Sequence, residues 1–228
     1  MSAYKRFRSA ASQIGGYVSS LRDHIAKRVF RKRFHQHFGG VHHCYISQNC
    51  TGGRFYTLQG RPYTSPTVGL WFESTDFLKF CEHLSDNLIS DIQPDAAEAD
   101  RLGYPVGRVN GIKIFFQHYS TFDEAVATWR RRASRVSTGD IYFLMTDRDG
   151  FSDTDMSRFN NLPTTRKILF SHTPISGNSN VVYVPGYEKE GYVGDLYSSY
   201  HEFNRRIVRQ KLFELLSQQC LHPIRENH

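Results

Sequence analysis

Three short stretches of this chain place reactive side-chain types directly after apolar runs. In the first, Cys44-Tyr45-Ile46-Ser47 runs into Gln48-Asn49-Cys50-Thr51-Gly52-Gly53, which supplies an amide, a thiol and a hydroxyl. Gly52 and Gly53 would let a ligand approach the main chain closely, with Asn49 beside it. The second is His118, just after residues 112–116, and the third is Asp147-Arg148-Asp149, just after residues 141–145. Cys50 at a helix N-terminus is a candidate nucleophile, and His118 a candidate general base, because a histidine ring exchanges protons near neutral pH. Asp147 and Asp149 are candidate ligands for Mn or Mg, which would neutralise a departing diphosphate; Asp147 is also a candidate catalytic residue alongside Cys50 and His118. Ligands of open α/β sheets lie beyond the carboxyl ends of parallel strands, so the three stretches converge if their strands are parallel. A hairpin that turned one strand over would take His118 out of the group.

The elements that must position these groups follow from periodicity and turn chemistry. Residues 44–47, 68–72, 106–109, 112–116, 141–145, 167–170 and 181–184 read as strands. The pair Asn110-Gly111 predicts a type I′ hairpin between the third and fourth of them. Helices are expected from about Phe55 onward, over 77–88 behind a Ser74, Thr75 or Asp76 cap, and over 125–133 behind the capping pattern Thr121-Phe122-Asp123-Glu124. Two further helices are expected over 152–159 and 203–216. The result is an α/β fold: a three-layer, Rossmann-like mixed sheet with helices on both faces and one antiparallel hairpin. Tyr63 and Ser65, in a proline-flanked loop, and Arg132, in a cluster with Arg130, Arg131 and Arg135, are candidate substrate contacts. Arginine's planar fork suits phosphate or carboxylate. Residues 187–199, rich in glycine and tyrosine, read as a flap.

Charge and cysteine usage remove several function classes. The net charge of +7 sits in one place: residues 1–38 hold nine Lys/Arg against Asp23 alone, whereas the remainder is close to neutral. The body is therefore not a basic nucleic-acid module, and no nucleic-acid partner is expected. Residues 1–38 form a basic arm in which Ile14, Tyr17, Val18, Leu21, Ile25 and Val29 recur at helical spacing, a pattern suited to an anionic membrane surface or to packing on the body. Residues 39–228 form the α/β part, with a break between two lobes expected near 93–105. Four cysteines without a secretory signal imply reduced thiols and a cytoplasmic protein, peripheral on the inner membrane through the arm. His42, His43, Cys44 and Cys50 match no zinc-ligand spacing, and the glycine turn matches neither a Rossmann nor a P-loop fingerprint.

The stretch Ile46-Ser47-Gln48-Asn49-Cys50-Thr51-Gly52-Gly53, followed by Pro62-Tyr63-Thr64-Ser65-Pro66-Thr67, resembles the opening signature of the bacterial family called domain of unknown function 1919. Tyr104-Pro105-Val106-Gly107, Phe116-Gln117-His118-Tyr119, Ala125 to Trp129 with Arg132 and Arg135, Thr146-Asp147-Arg148-Asp149-Gly150 and Leu162-Pro163 follow in the same order. The resemblance implies a role in exopolysaccharide, capsule or lipopolysaccharide biosynthesis. The leading expectation is a group transferase that moves a sugar from a nucleotide-activated donor to a glycan or glycolipid acceptor, with Mn or Mg at Asp147 and Asp149. A Cys50, His118 and Asp147 set would instead suit acyl transfer or hydrolysis on a glycan. A non-catalytic component of polysaccharide assembly is the third reading.

Overall fold

A computed structural model describes residues 24–26, 28–38, 43–136, 141–164, 166–196, 210, 213–214 and 217. The chain divides into two compact units, Met1–Val41 with Leu58–Gly60 and His42–Thr57 with Arg61–His228. In the first, residues 24–26 and 28–38 are helical (α1). Phe30, Phe34 and Phe38 recur every four residues and meet in sequence, with ring centroids 6.0 and 5.0 Å apart. Ile25 and Val29, also one turn apart, are 54% and 61% exposed. The apolar stripe expected on the arm is therefore open to solvent at its described end. Its earlier members, from Ile14 to Leu21, lie outside the described residues.

The second unit is built on two sheets. Strands β1 (Cys44–Ser47), β5 (Ile141–Thr146), β6 (Lys167–Ser171) and β7 (Val181–Tyr183) form a parallel sheet in the order β1-β5-β6-β7. Every residue of β1 and β6 is buried, as is usual for parallel strands covered on both faces. Strands β2 (Gln93–Pro94), β3 (Val106–Val109) and β4 (Ile112–Phe115) form an antiparallel sheet in the order β2-β3-β4. Asn110 and Gly111 have φ of 49° and 79°, the left-handed pair that a type I′ hairpin requires. The parallel four-stranded and antiparallel three-stranded sheets with their helices are consistent with a three-layer α/β fold.

Helices α2 (Thr51–Gln59, whose last two residues fall in the first unit), α3 (Ser74–Glu82), α4 (Leu84–Ile89), α5 (Ala96–Leu102), α6 (Phe122–Ala133) and α7 (Asp153–Asn161) follow in chain order. The caps follow local chemistry. Thr121 Oγ accepts from the Glu124 N–H at the start of α6, and Ser152 and Asp155 form a reciprocal capping box on α7. Two expectations from sequence are corrected here. Residues 68–72 are not a strand: a turn runs through residues 66–69 with Gly69 at φ 86°, so only Trp71 pairs, as a single bridge to Phe115. The helix expected over 77–88 breaks at His83 (φ −122°, ψ 41°) into α3 and α4. The helix expected over 203–216 lies almost wholly outside the described residues; 210, 213–214 and 217 are helical.

That single bridge joins the two sheets. Trp71 exchanges both backbone hydrogen bonds with Phe115 of β4, each 3.0 Å, while the next residue, Phe72, donates its N–H to the Gln48 carbonyl at the end of β1 (2.9 Å). Two adjacent residues thus tie the end of β4 to the end of β1. A large shared core backs the seam. Phe72 packs on Phe77 and Phe80, and Phe80 packs edge-on against Trp129 of α6. All four rings are 2% exposed or less, so each contributes about 2–3 kcal/mol of burial.

Candidate active site

At the carboxyl end of β1 the chain turns into α2, and each residue of the turn has a task. Ser47 Oγ accepts the Gly52 N–H at 3.1 Å. Asn49 Oδ1 accepts both the Thr51 N–H (3.2 Å) and the Thr51 hydroxyl (2.7 Å). Two first-turn amides of α2 are therefore satisfied within the protein. Gln48, fully buried, donates to Ser74 Oγ and the Arg148 carbonyl, and its Oε1 accepts the Thr146 N–H at 2.9 Å. Asn49 Nδ2 donates to Thr146 Oγ1, also 2.9 Å. These bonds lock the ends of β1, β5 and α3 together and leave Cys50 as the turn's unused reactive group.

Cys50 opens into a cleft of about 470 Å³. Its Sγ lies 3.3 Å from His118 Nε2, hydrogen-bonding distance for sulfur. His118 arrives from the other sheet, three residues beyond the Phe115 that Trp71 holds against β1. The hairpin does turn this strand away from the parallel sheet, yet the seam returns His118 to the site. The cleft walls desolvate the thiol and push its pKa up; Arg54 and Arg148 pull it back, and Asp195 adds to the rise. Cys44 and Cys81 differ in kind. Both are buried, and desolvation pushes the Cys44 thiol up to about 11.

Trp71 and Tyr104 supply the aromatic part of the cleft, Gln117 and Asn49 its amides. Trp71 stacks on Phe115 with ring centroids 3.8 Å apart and planes within 6°, which fixes its orientation. A second cavity of about 270 Å³, lined by Glu73, Ser74, Thr75 and Gly150, shares Trp71 and Asp149 with the first. Asp149 sits in the left-handed region (φ 59°), its carbonyl accepts the Ser74 N–H at 2.9 Å, and its carboxylate lies 3.2 Å from Arg148 Nε. Burial pushes the Asp149 carboxyl pKa up, with Arg148 opposing.

The residues expected from sequence divide into two groups. Asn49, Cys50, His118 and Asp149 line the cleft. Asp147 does not: its Oδ2 accepts the His172 N–H (2.7 Å) and contacts His172 Nδ1 (2.6 Å), and its Oδ1 accepts the Val193 N–H (2.7 Å). Asp147 is thereby an anchor for the loop after β6 and for residues 193–196, of which Gly194, Asp195 and Leu196 form cleft wall. The expected metal pair Asp147 and Asp149 is divided between these two settings. Among the described residues no group of three or more His, Cys, Asp or Glu is placed to hold a metal ion.

Gly52 and Gly53 are packing positions rather than ligand contacts. A Cβ on Gly52 would stand 2.7 Å from Ser47 Cβ, and one on Gly53 would stand 3.2 Å from Val68 Cγ1. Ser65 is buried, and its Oγ bonds with Thr67 Oγ1, which in turn accepts the Ser47 N–H. Arg132 donates to the Val68 carbonyl (2.8 Å) and Tyr119 hydroxyl (3.0 Å), with its guanidinium 5.3 Å above the Tyr63 ring. None of these residues lines the cleft. Gly52→Ala should accordingly cost about 1–3 kcal/mol by overpacking. Because the displaced turn carries Cys50, iodoacetamide labelling of that thiol should change together with the melting temperature; an unchanged melt would show that the turn relaxes freely.

Arg54, Trp71, Tyr104, Gln117 and Arg148 are cleft residues that sequence reasoning missed. Arg54 stands one helical turn beyond Cys50, Arg148 lies between Asp147 and Asp149, and Gln117 precedes His118, so these three had a local signal that Trp71 and Tyr104 lacked.

Residues 21–216 match the model of a protein family described as "Domain of unknown function (DUF1919)". An uncharacterized protein of Haemophilus influenzae is 34% identical over 152 residues, which span 67% of this chain and 72% of that protein.

Proposed function

The chain belongs to the family described as domain of unknown function (DUF1919), and from the chemistry of its cleft we propose that it is a cysteine-dependent acyl transferase of bacterial surface-polysaccharide assembly. The observation that carries the chemistry is the 3.3 Å approach of Cys50 Sγ to His118 Nε2 inside a cleft large enough for a substrate. The polysaccharide setting rests on the resemblance of the motif series alone.

With its own hydrogen on Nδ1, the His118 ring takes the thiol proton at Nε2 as Sγ attacks the donor carbonyl carbon. The tetrahedral intermediate collapses by breaking the bond to the leaving group, which receives the proton from the imidazolium. A thioester on Cys50 remains. In the second half, an acceptor hydroxyl gives its proton to His118 and its oxygen attacks the thioester; Sγ leaves and recovers the proton. Trp71 offers the flat apolar surface on which a pyranose ring packs, with amides close by for its hydroxyls. A glycan hydroxyl is therefore the acceptor the cleft fits best. Glycosyl transfer over a metal held by Asp147 and Asp149 is less well supported, because three donors already engage the Asp147 carboxylate.

Intact-mass analysis after brief incubation with a panel of acyl thioesters and acylated sugars tests the proposal. One donor should add its acyl mass to Cys50, and a hydroxylamine wash should remove it. No adduct with any member, under conditions where iodoacetamide labels Cys50, would sink it.

The same reading places the protein in the cytoplasm, peripheral on the inner membrane. Ile25 and Val29 are exposed on a helix that also carries Arg28, Arg31, Lys32 and Arg33. An apolar strip and a basic surface together make two weak membrane signals that act jointly. Co-sedimentation with vesicles containing anionic lipid should fall with added salt, and Ile25→Ser with Val29→Ser should reduce it about tenfold. Binding that ignores both changes would remove the membrane assignment. Among the described residues, no helix is long and apolar enough to cross a membrane.

A further inference from the structure

The cations of the second unit are mostly committed. Lys113 pairs with Glu98, Arg108 with Asp95, Arg130 with Asp91, Arg158 with Glu82, and Arg148, in the cleft itself, with Asp149. Arg54 is different. It lines the cleft, yet no carboxylate lies within ion-pair distance of it among the described residues, and its guanidinium makes no hydrogen bond there. Its position is set by α2: its N–H donates to the Cys50 carbonyl at 3.2 Å, so the two side chains share the first turn of the helix. Arg54 is also the foremost cation acting on the Cys50 thiol.

An unpaired arginine beside a nucleophile, inside a concave site, is a docking point for a negative group. Its planar fork suits the two oxygens of a carboxylate or phosphate. We propose that Arg54 is the specificity residue of the cleft, and that the donor which acylates Cys50 carries a phosphate or carboxylate seated on Arg54 while its carbonyl meets Sγ. This inference rests on the acyl-transfer reading, and its test separates the two.

Iodoacetate and iodoacetamide attack the same thiolate and differ in that the first is an anion. The ratio of their rates at Cys50, read by peptide mass spectrometry, therefore cancels any change in the thiolate fraction and reports the local charge alone. In the full-length protein, Arg54→Gln should lower the iodoacetate to iodoacetamide ratio about tenfold, and Arg54→Lys should retain most of it. His118→Gln should slow both reagents alike and leave the ratio intact. Equal rates in His118→Gln and the unaltered protein would remove the dyad while leaving the anion site standing. Pyrophosphate should slow wild-type labelling if the seat is made for phosphate, and malonate if it is made for a carboxylate. A ratio unchanged by Arg54→Gln, or failure of both anions to protect Cys50, would overturn the proposal.

Discussion

Replacing Cys50 by serine should lower acyl turnover by about three orders of magnitude or more, although the substitution preserves size and a hydrogen-bonding group. The reason is the chemistry of the first half-reaction. A hydroxyl is a far poorer nucleophile than a thiol near neutral pH, and the cleft around Cys50 is arranged for sulfur, with Nε2 of His118 at 3.3 Å. His118→Ala should cost a similar factor, and the double variant little more than either, because residues that act as one unit are not additive. Both variants should melt within about 2 °C of the parent, since Cys50 and His118 face the cleft and carry none of the core. Turnover would be followed with whichever donor forms the Cys50 adduct. A serine variant with more than about a tenth of the parent's rate would show that Cys50 only lines the pocket, and would return glycosyl transfer to the lead.

The second large effect concerns stability. Asp147→Ala should cost about 3–5 kcal/mol, and the melting temperature should fall by about 10 °C. The carboxylate accepts two backbone N–H groups, from His172 and from Val193, as well as contacting the His172 ring. Val193 is fully buried, so its amide would be left without an acceptor and without water. Hydrogen exchange should then rise at residues 172–173 and 193–196 before it rises in the parallel sheet. Asp147→Asn keeps one acceptor oxygen and should recover part of the loss. If Asp147→Ala instead left the melt unchanged and removed activity alone, the aspartate would belong to the chemistry after all.

Much of this arrangement was legible in the chain, and the reasons for the exceptions are physical. Parallel strands buried on both faces read as unbroken apolar runs, so β1, β5 and β6 stood out. The hairpin was marked by Asn110-Gly111, because few other pairs tolerate two left-handed residues. Cys50, His118, Asn49 and Asp149 could be placed at strand ends by counting. The identities of the other polar residues were misleading because a buried turn consumes polar groups for its own backbone: Ser47, Ser65 and Asp147 bond main-chain amides, and Arg132 bonds a carbonyl. The glycines misled for a related reason. Gly52 leaves room for Ser47, not for a ligand. Trp71 could not be found at all from local pattern, since its place in the cleft depends on one bridge to a residue 44 positions later. Non-local pairing of that kind leaves no periodicity to read.

The seam at Trp71 and Phe72 also sets when Cys50 and His118 come together. Cys50 leaves the ribosome 68 residues ahead of His118 and well before β5, the strand against which β1 must pair. Through that interval the thiol has no imidazole beside it and none of the cleft walls that desolvate it in the folded protein. Only when the antiparallel sheet has closed on the Trp71 bridge does the imidazole reach sulfur, so the Cys50–His118 pair exists only in the completed fold.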